Sequence, residues 1–318
     1  MGELPTARVN SSPPFSHAGV DYAGPMNLIQ FVGRGQKSAK HYIALFVCLV
    51  TRAIHLELVD DYSTEGFLAA FARFASRRGY PSDVYSDNGT NFQGAARELQ
   101  QSFSTLVNDP KLQTVLANDG VKWHFVPPSA PHFGGLWEAG VKSLKHHLRR
   151  VIGSSTLSKA EFTTLLCKIE ACINSRPISA LSDDPYDLTA LTSGHFLIGR
   201  PLVSVPEMSV LDLNTNRLSR WQQVQSMHER IWRSWSHDYL HSLQQRRKWT
   251  ESQPDVKVNE LVLLKNNLLP PSKWGLARIT EVHPGPDGRV RVVTVRTAES
   301  TFKRPIAQIC RLPIPPNS

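Results

Sequence analysis

Two β-rich runs, His41–Val50 and Arg52–Val59, stand with one residue between them. No crossover fits into so short a link, so the runs must pair as an antiparallel hairpin. Ahead of it, Phe15–Tyr22 reads as a further strand ended by Gly24-Pro25, since proline donates nothing to a β ladder. Behind it, Ser63–Arg78 reads as a helix. Ser63 and Thr64 can cap it, Phe67, Leu68, Phe71 and Phe74 recur at three- and four-residue spacing, and Gly79 stops it. A strand at Asp83–Ser86, a helix at Asn91–Phe103 and a strand at Val121–Val126 follow. Pro127–Gly135 carries too much Pro and Gly for regular structure, and Ser129–Gly135 is expected to be a mobile loop. Helices come next at Leu136–Ile152 and Lys159–Asn174. The order β-β-β-α-β-α-β-α-α describes an α/β fold whose mixed sheet begins antiparallel and is flanked by helices.

Residues 178–213 look irregular, and Arg217–Trp249 reads as a long amphipathic helix. Leu218, Trp221, Val224, Met227, Ile231, Trp235 and Leu243 run along one side of it. Beyond Val256 lie short strands at Leu261–Lys265, Ala277–Val282, Arg289–Arg296 and Thr301–Pro305. Strands this short cover their apolar faces by curling into a small all-β barrel, here filled by Leu261, Leu263, Ile279, Val293 and Val295.

Charge separates the two parts. The 318 residues hold 36 Lys+Arg against 27 Asp+Glu, a net of +9. Residues 1–210 hold 19 against 18, and residues 211–318 hold 17 against 9. A basic module beside a near-neutral body suggests a polyanion-binding appendage. A merely solubilising surface is the plainer alternative. The longest apolar run, Tyr42–Val50, is far short of the ~18 residues of a membrane span, so no membrane partner is expected. Residues 1–20 carry Pro, Ser and polar residues rather than an apolar signal segment. Cys48, Cys167, Cys172 and Cys310 include no C-x-x-C and read as reduced core cysteines of an intracellular protein.

Three carboxylates stand where they are least expected. Asp21 lies inside an apolar strand, Asp87 where a strand ends, and Glu138 at the opening of a helix. Asp87 has the plain reading of a turn or cap residue, and Glu138 that of a helix N-terminal acid. Asp21 has no such excuse, because burying a carboxylate without partners costs several kcal/mol. Projecting together, the three would make an oxygen-rich site for Mg²⁺, and two ions ~3.5–4 Å apart can drive phosphoryl transfer. At 100° per residue, Lys142, Lys145 and Arg149 fall within roughly 40° of Glu138 around the helix, a cationic stripe suited to a phosphate backbone. Ordinary solvated lysines pairing with Glu138 remain the alternative.

Gly19-Val20-Asp21-Tyr22-Ala23-Gly24-Pro25, Ser86-Asp87-Asn88-Gly89-Thr90-Asn91-Phe92 and His132-Phe133-Gly134-Gly135-Leu136-Trp137-Glu138 together resemble the catalytic core of retroviral-type integrases. The resemblance is closest to integrases of BEL/Pao-type LTR retrotransposons. It continues through Ile231-Trp232-Arg233-Ser234-Trp235, Lys273-Trp274-Gly275-Leu276-Ala277-Arg278-Ile279 and Phe302-Lys303-Arg304-Pro305, spanning about residues 10–313. It implies an RNase H-like core whose Asp, Asp, Glu triad falls on Asp21, Asp87 and Glu138. It further implies two Mg²⁺ or Mn²⁺ ions, and trimming of element DNA ends that are then joined to target DNA. The chain departs from the family pattern in two ways. Asp87 and Glu138 are 51 positions apart, a wider spacing than the retroviral one, with an extra helix expected around Phe103–Asp119. No paired His and paired Cys of a zinc-binding domain precede the core, which leaves a fragment, a truncated copy and a domesticated descendant open.

The expected organisation is an extended lead-in over 1–14, an RNase H-like core over 15–190, a helical connector over 191–252 and an SH3-like DNA-binding domain over 253–318. Lys273, Arg278, Arg289, Arg291, Arg296, Lys303 and Arg304 are expected on the surface of that last domain as phosphate contacts. The partners implied are double-stranded DNA, as element ends and target, and further copies of the chain in a dimer or tetramer. The implied location is the nucleus, with a cytoplasmic particle stage. Two alternatives stand beside the integrase: an RNase H-like nuclease, and a non-catalytic DNA-binding remnant of such an element.

Overall fold

The computed structural model describes residues 10–30, 33, 35, 37–87, 91–98, 120–125, 131–152, 156–214, 217–244, 254–265 and 269–314, with 131–141 as backbone only. The helix expected around Phe103–Asp119 lies outside these residues. The chain divides into two compact units, Met1–Glu170 and Ala171–Ser318.

The first unit is built on a five-stranded sheet of β1 (His17–Leu28), β2 (Ala39–Cys48), β3 (Ile54–Val59), β4 (Asp83–Ser86) and β5 (Lys122–Phe125), in the order β3-β2-β1-β4-β5. The β1-β2-β3 half is an antiparallel meander, and β4 and β5 run parallel to β1. This is the mixed sheet, antiparallel in its first half, that the α/β pattern predicts. One strand boundary differs. β1 does not stop at Gly24-Pro25 but runs on to Leu28, and its register against β2 shifts between Ala23 and Met26. The pair forms a bulge, where a proline removes no ladder bond.

Helix α1 (Thr64–Arg78) starts under the Ser63 hydroxyl, which accepts the Gly66 N–H at 3.0 Å. Its buried face of Phe67, Ala70, Phe71 and Phe74 lies on the sheet, with Phe74 stacked on Phe46 at 4.2 Å and edge-on to Phe15 at 5.3 Å. Helix α2 covers 91–98. Helix α3 (Pro131–Ile152) begins ahead of the expected Leu136, so residues 131–135 are helical rather than loop. A proline at a helix's first position loses no bond. Residues 129 and 130 of the expected loop lie outside the described ones. Helix α4 (Lys159–Asn174) opens on a reciprocal cap, in which Ser158 N–H donates to Glu161 at 2.7 Å and Glu161 N–H to the Ser158 hydroxyl at 3.3 Å. Its Glu170 also accepts the Leu56 N–H of edge strand β3 at 2.9 Å, and Arg73 donates to Leu58 O at 2.8 Å. Those side chains blunt the exposed edge.

The second unit contains a small hairpin, β6 (Pro177–Ala180) with β7 (Ala190–Thr192), and helix α5 (Ser193–Ile198), inside the stretch expected to be irregular. Helix α6 (Arg220–Gln244) buries Val224, Met227, Ile231, Trp232, Trp235 and Leu240. Trp221, expected on that apolar side, is instead 52% exposed in the first turn. Five antiparallel strands follow: β8 (Leu261–Leu264), β9 (Leu276–Pro284), β10 (Val290–Arg296), β11 (Thr301–Pro305) and β12 (Ile309–Arg311), in the order β11-β10-β9-β8-β12. This is the all-β module expected. β12, at three residues, is too short to show an alternation in sequence.

Val262, Ala277, Ile279, Val290, Val293, Val295 and Ile309 fill one face of that sheet. Leu263, expected among them, clusters on the other face with Leu240 of α6 and Cys310, and Leu261, also expected among them, is buried but outside the first cluster. Strand β8 is apolar on both sides, so alternation alone could not choose. All four cysteines are free. Cys48, Cys172 and Cys310 are buried, whereas Cys167, expected in the core, is exposed. Among the described residues no helix is long and apolar enough to cross a membrane.

Candidate active site

Asp21 sits in the middle of β1, between buried Val20 and Tyr22, and is half-buried rather than enclosed. Its carboxylate accepts the Tyr22 N–H at 2.6 Å. β1 is flanked on both sides: Asp21 pairs with Leu45 of β2, and Gly19 pairs with Tyr85 of β4. Asp87 stands two residues past Tyr85, as Asp21 stands two past Gly19. The β1–β4 pairing ends at Gly19 and Tyr85, so each carboxylate stands two residues beyond the last paired position of its strand. Asp87 itself is exposed, one residue beyond the end of β4.

A part-buried pair of hydrogen bonds, through buried Ser86, holds that strand end. Trp123 Nε1 of β5 donates to the Ser86 hydroxyl at 2.9 Å, and the Ser86 hydroxyl donates to Asp87 O at 2.8 Å. Tyr62, just before α1, completes the surroundings. It is 46% exposed and its ring lies 5.0 Å from that of Tyr22 and 5.3 Å from that of Tyr42. Partial burial first, then the negative charges of Asp87 and Asp21, push its phenol above the ordinary tyrosine value. One phenol therefore senses both carboxylates. Sequence reading missed Tyr62, Ser86 and Trp123; its only signal for Tyr62 was an aromatic set directly after Asp60 and Asp61.

Glu138 lies well inside α3 rather than at its opening, because the helix starts at Pro131; its side chain is outside the described residues. Further along α3, Lys142 and Arg149 are exposed and Lys145 is half-buried, while Leu144 and Leu148, a quarter-turn or so round, are buried. Among the described residues no cluster of three or more His, Cys, Asp or Glu is closed enough to hold a metal. Carboxylate oxygen is the donor type that Mg²⁺ takes, and Asp21 and Asp87 are two carboxylates whose charges reach the same phenol.

The basic residues of the C-terminal sheet divide in use. Arg278, expected on the surface, is only 2% exposed. Its guanidinium donates to Asp187 O at 2.6 Å, Asn259 O at 2.9 Å and Ser182 O at 3.1 Å, so it ties loops to β9. Arg296 donates to Pro185 O and lies 4.4 Å over the Tyr186 ring. Arg291 pairs with Asp287 at 2.6 Å, and Arg289 is 3.9 Å from Asp255. Lys273, Lys303 and Arg304 are exposed, with Arg304 stacked 4.2 Å over Phe302.

Residues 219–312 match a family of unknown function (DUF5641). No curated protein matches the chain. Among solved structures, the simian T-cell lymphotropic virus intasome in complex with PP2A regulatory subunit B56 gamma aligns at 11% identity and a TM-score of 0.38, over 98% of this chain and 84% of that one. The HTLV-2 integrase catalytic core domain in complex with magnesium aligns at 15% identity and a TM-score of 0.33, over 51% of this chain and 88% of that one. At these scores neither likeness bears on function.

Proposed function

We propose that the chain is an integrase of the retroviral type, akin to those of BEL/Pao-type LTR retrotransposons. In this reading it is a DDE-type strand transferase that trims element DNA ends and joins their 3′ ends to target DNA. One observation supports the reading: Asp21 and Asp87 each follow, by two residues, the last β1–β4 pair, Gly19 with Tyr85, and the charges of both raise the Tyr62 phenol. Asp21, Asp87 and Glu138 are the residues to hold Mg²⁺ or Mn²⁺. Two such ions, when bound, activate the attacking oxygen and stabilise the leaving one. The Trp123–Ser86 and Ser86–Asp87 bonds tie the backbone at Asp87 to β5, which would limit its movement during the reaction. Lys142, Lys145 and Arg149 guide the phosphate backbone along α3. Lys273, Lys303 and Arg304, with Arg289, add affinity that is blind to sequence. Residues 15–190 would carry the chemistry and 253–318 the DNA affinity, in a dimer or tetramer working in the nucleus after a cytoplasmic particle stage.

The test incubates the purified chain with duplex oligonucleotides carrying element-like ends and Mn²⁺. Shortened strands and joined products are expected, and both should vanish in Asp21→Asn and Asp87→Asn. Cleavage without joining would point to an RNase H-like nuclease. Binding with neither cleavage nor joining would overturn the enzymatic reading in favour of a DNA-binding remnant.

A further inference from the structure

Cys172, near the end of α4, is 2% exposed, and its Sγ lies 3.1 Å from Nε2 of the equally buried His228 on α6. The Ser272 hydroxyl donates to the same sulfur at 3.4 Å, and the Ser204 hydroxyl lies 2.8 Å from that of Ser272. Ser272 adopts φ 63°, a left-handed conformation that a serine keeps only where its surroundings impose it. Ser204 and His228 also line a cavity of about 230 Å³, beside Glu229, Arg233 and Lys273. The His228 imidazole and the Ser204 hydroxyl thus stand at the wall of this chamber, with the Cys172 thiol and the Ser272 hydroxyl directly behind them.

The other cysteines lack this setting. Cys48 Sγ accepts the Phe15 and Thr51 N–H groups at 3.2 and 3.4 Å. Cys310 donates to Leu240 O at 3.3 Å, and burial pushes its thiol up to about 11. Exposed Cys167 is also raised, by partial desolvation and then by the Glu170 charge. A thiolate, not a thiol, is the nucleophile, and a neighbouring imidazole is the group that generates it.

We propose that Cys172 is a reactive thiol, oxidised by small hydroperoxides that enter through this cavity. His228 Nε2 takes the thiol proton, and the sulfur attacks the nearer peroxide oxygen. The O–O bond breaks, and the departing oxygen receives the proton from His228 as water or an alcohol. The sulfur is oxidised by two electrons to sulfenic acid while the peroxide is reduced. The hydroxyls of Ser272 and Ser204 are placed to hold the new S–OH group. This site is independent of the carboxylate pair and of the integrase reading.

The test treats the full chain with hydrogen peroxide and then dimedone, which marks sulfenic acid, and quantifies each cysteine by peptide mass spectrometry. Cys172 should be labelled about tenfold or more faster than Cys48 and Cys310, which are as deeply buried. In His228→Gln, Cys172 labelling should slow while Cys167 labelling stays unchanged. If wild-type Cys172 is labelled no faster than Cys48 and Cys310, the proposal is overturned without recourse to any variant.

Discussion

Arg278 carries opposite meanings in sequence and in structure. Between Ala277 and Ile279 on a strand it alternates as a solvent-facing residue should, yet loop 182–187 covers it and supplies its acceptors. Replacing it with Met should cost roughly 2–4 kcal/mol, since buried carbonyls lose a charged donor. Denaturant midpoints measure this, and an unchanged midpoint with weakened DNA binding would return Arg278 to the surface role. At the carboxylate pair, Asp87→Asn removes one of the charges that raise Tyr62, so the Tyr62 phenol should titrate lower than in the wild type. NMR of ring-labelled tyrosine reads this directly, and an unmoved Tyr62 would separate the two carboxylates. The same variant should lose little stability, because it also relieves repulsion with Asp21. The candidate site was only partly legible. Asp21 and Asp87 announce themselves as misplaced acids, but bringing them near each other requires β1 to pair with a strand that follows a hairpin and a helix.

At the scale of elements, the β3 edge is held by a buried ionic cluster that no local pattern announces. His55 bonds Glu57 at 2.9 Å and lies 3.3 Å from Glu170, Arg73 and Arg77 reach Glu57, and Arg78 reaches Glu170. Burial alone would lower His55, but its bonds to Glu170 and Glu57 outweigh burial and raise it above 6.5. Burial would likewise raise Glu57, yet its bonds to His55 and Arg73 hold it below 4.5. The His55 contribution is therefore full below about pH 6.5 and fades as pH climbs through the higher folded value. The Glu57 contribution is present above about pH 4.5 and is lost as pH falls through the lower folded value. The melting difference between wild type and His55→Gln should peak near pH 5–6 and shrink as the pH rises through the raised His55 value. A difference that widens from pH 6 to pH 8 would contradict this assignment. The hairpin and α1 were legible because each is signalled within a few residues. The bulge at Gly24-Pro25 and the early start of α3 were not, since proline reads as a stop wherever tertiary pairing is unknown.

Across the whole molecule, the basic excess of residues 211–318 overstates the free positive charge, because Arg278 and Arg296 are spent on carbonyls and Arg291 on Asp287. DNA affinity should therefore rest more on Lys303 and Arg304. Changing both to Ala should flatten the dependence of log K on log salt by about 0.9 for each phosphate no longer neutralised. Arg296→Ala should instead lower stability, and a flattened slope with intact stability would reverse that division. The small sheet also shares Leu263 and Cys310 with Leu240 of α6, so these experiments belong on the full chain. The most direct check of the central claim, that Asp21 and Asp87 form one cation-binding pair, is calorimetric titration of Mn²⁺ into the wild type, Asp21→Asn and Asp87→Asn. The wild type should bind saturably and each variant should bind at least about tenfold more weakly, since each removes half of the described donor set. Two variants that titrate as the wild type does would contradict the account.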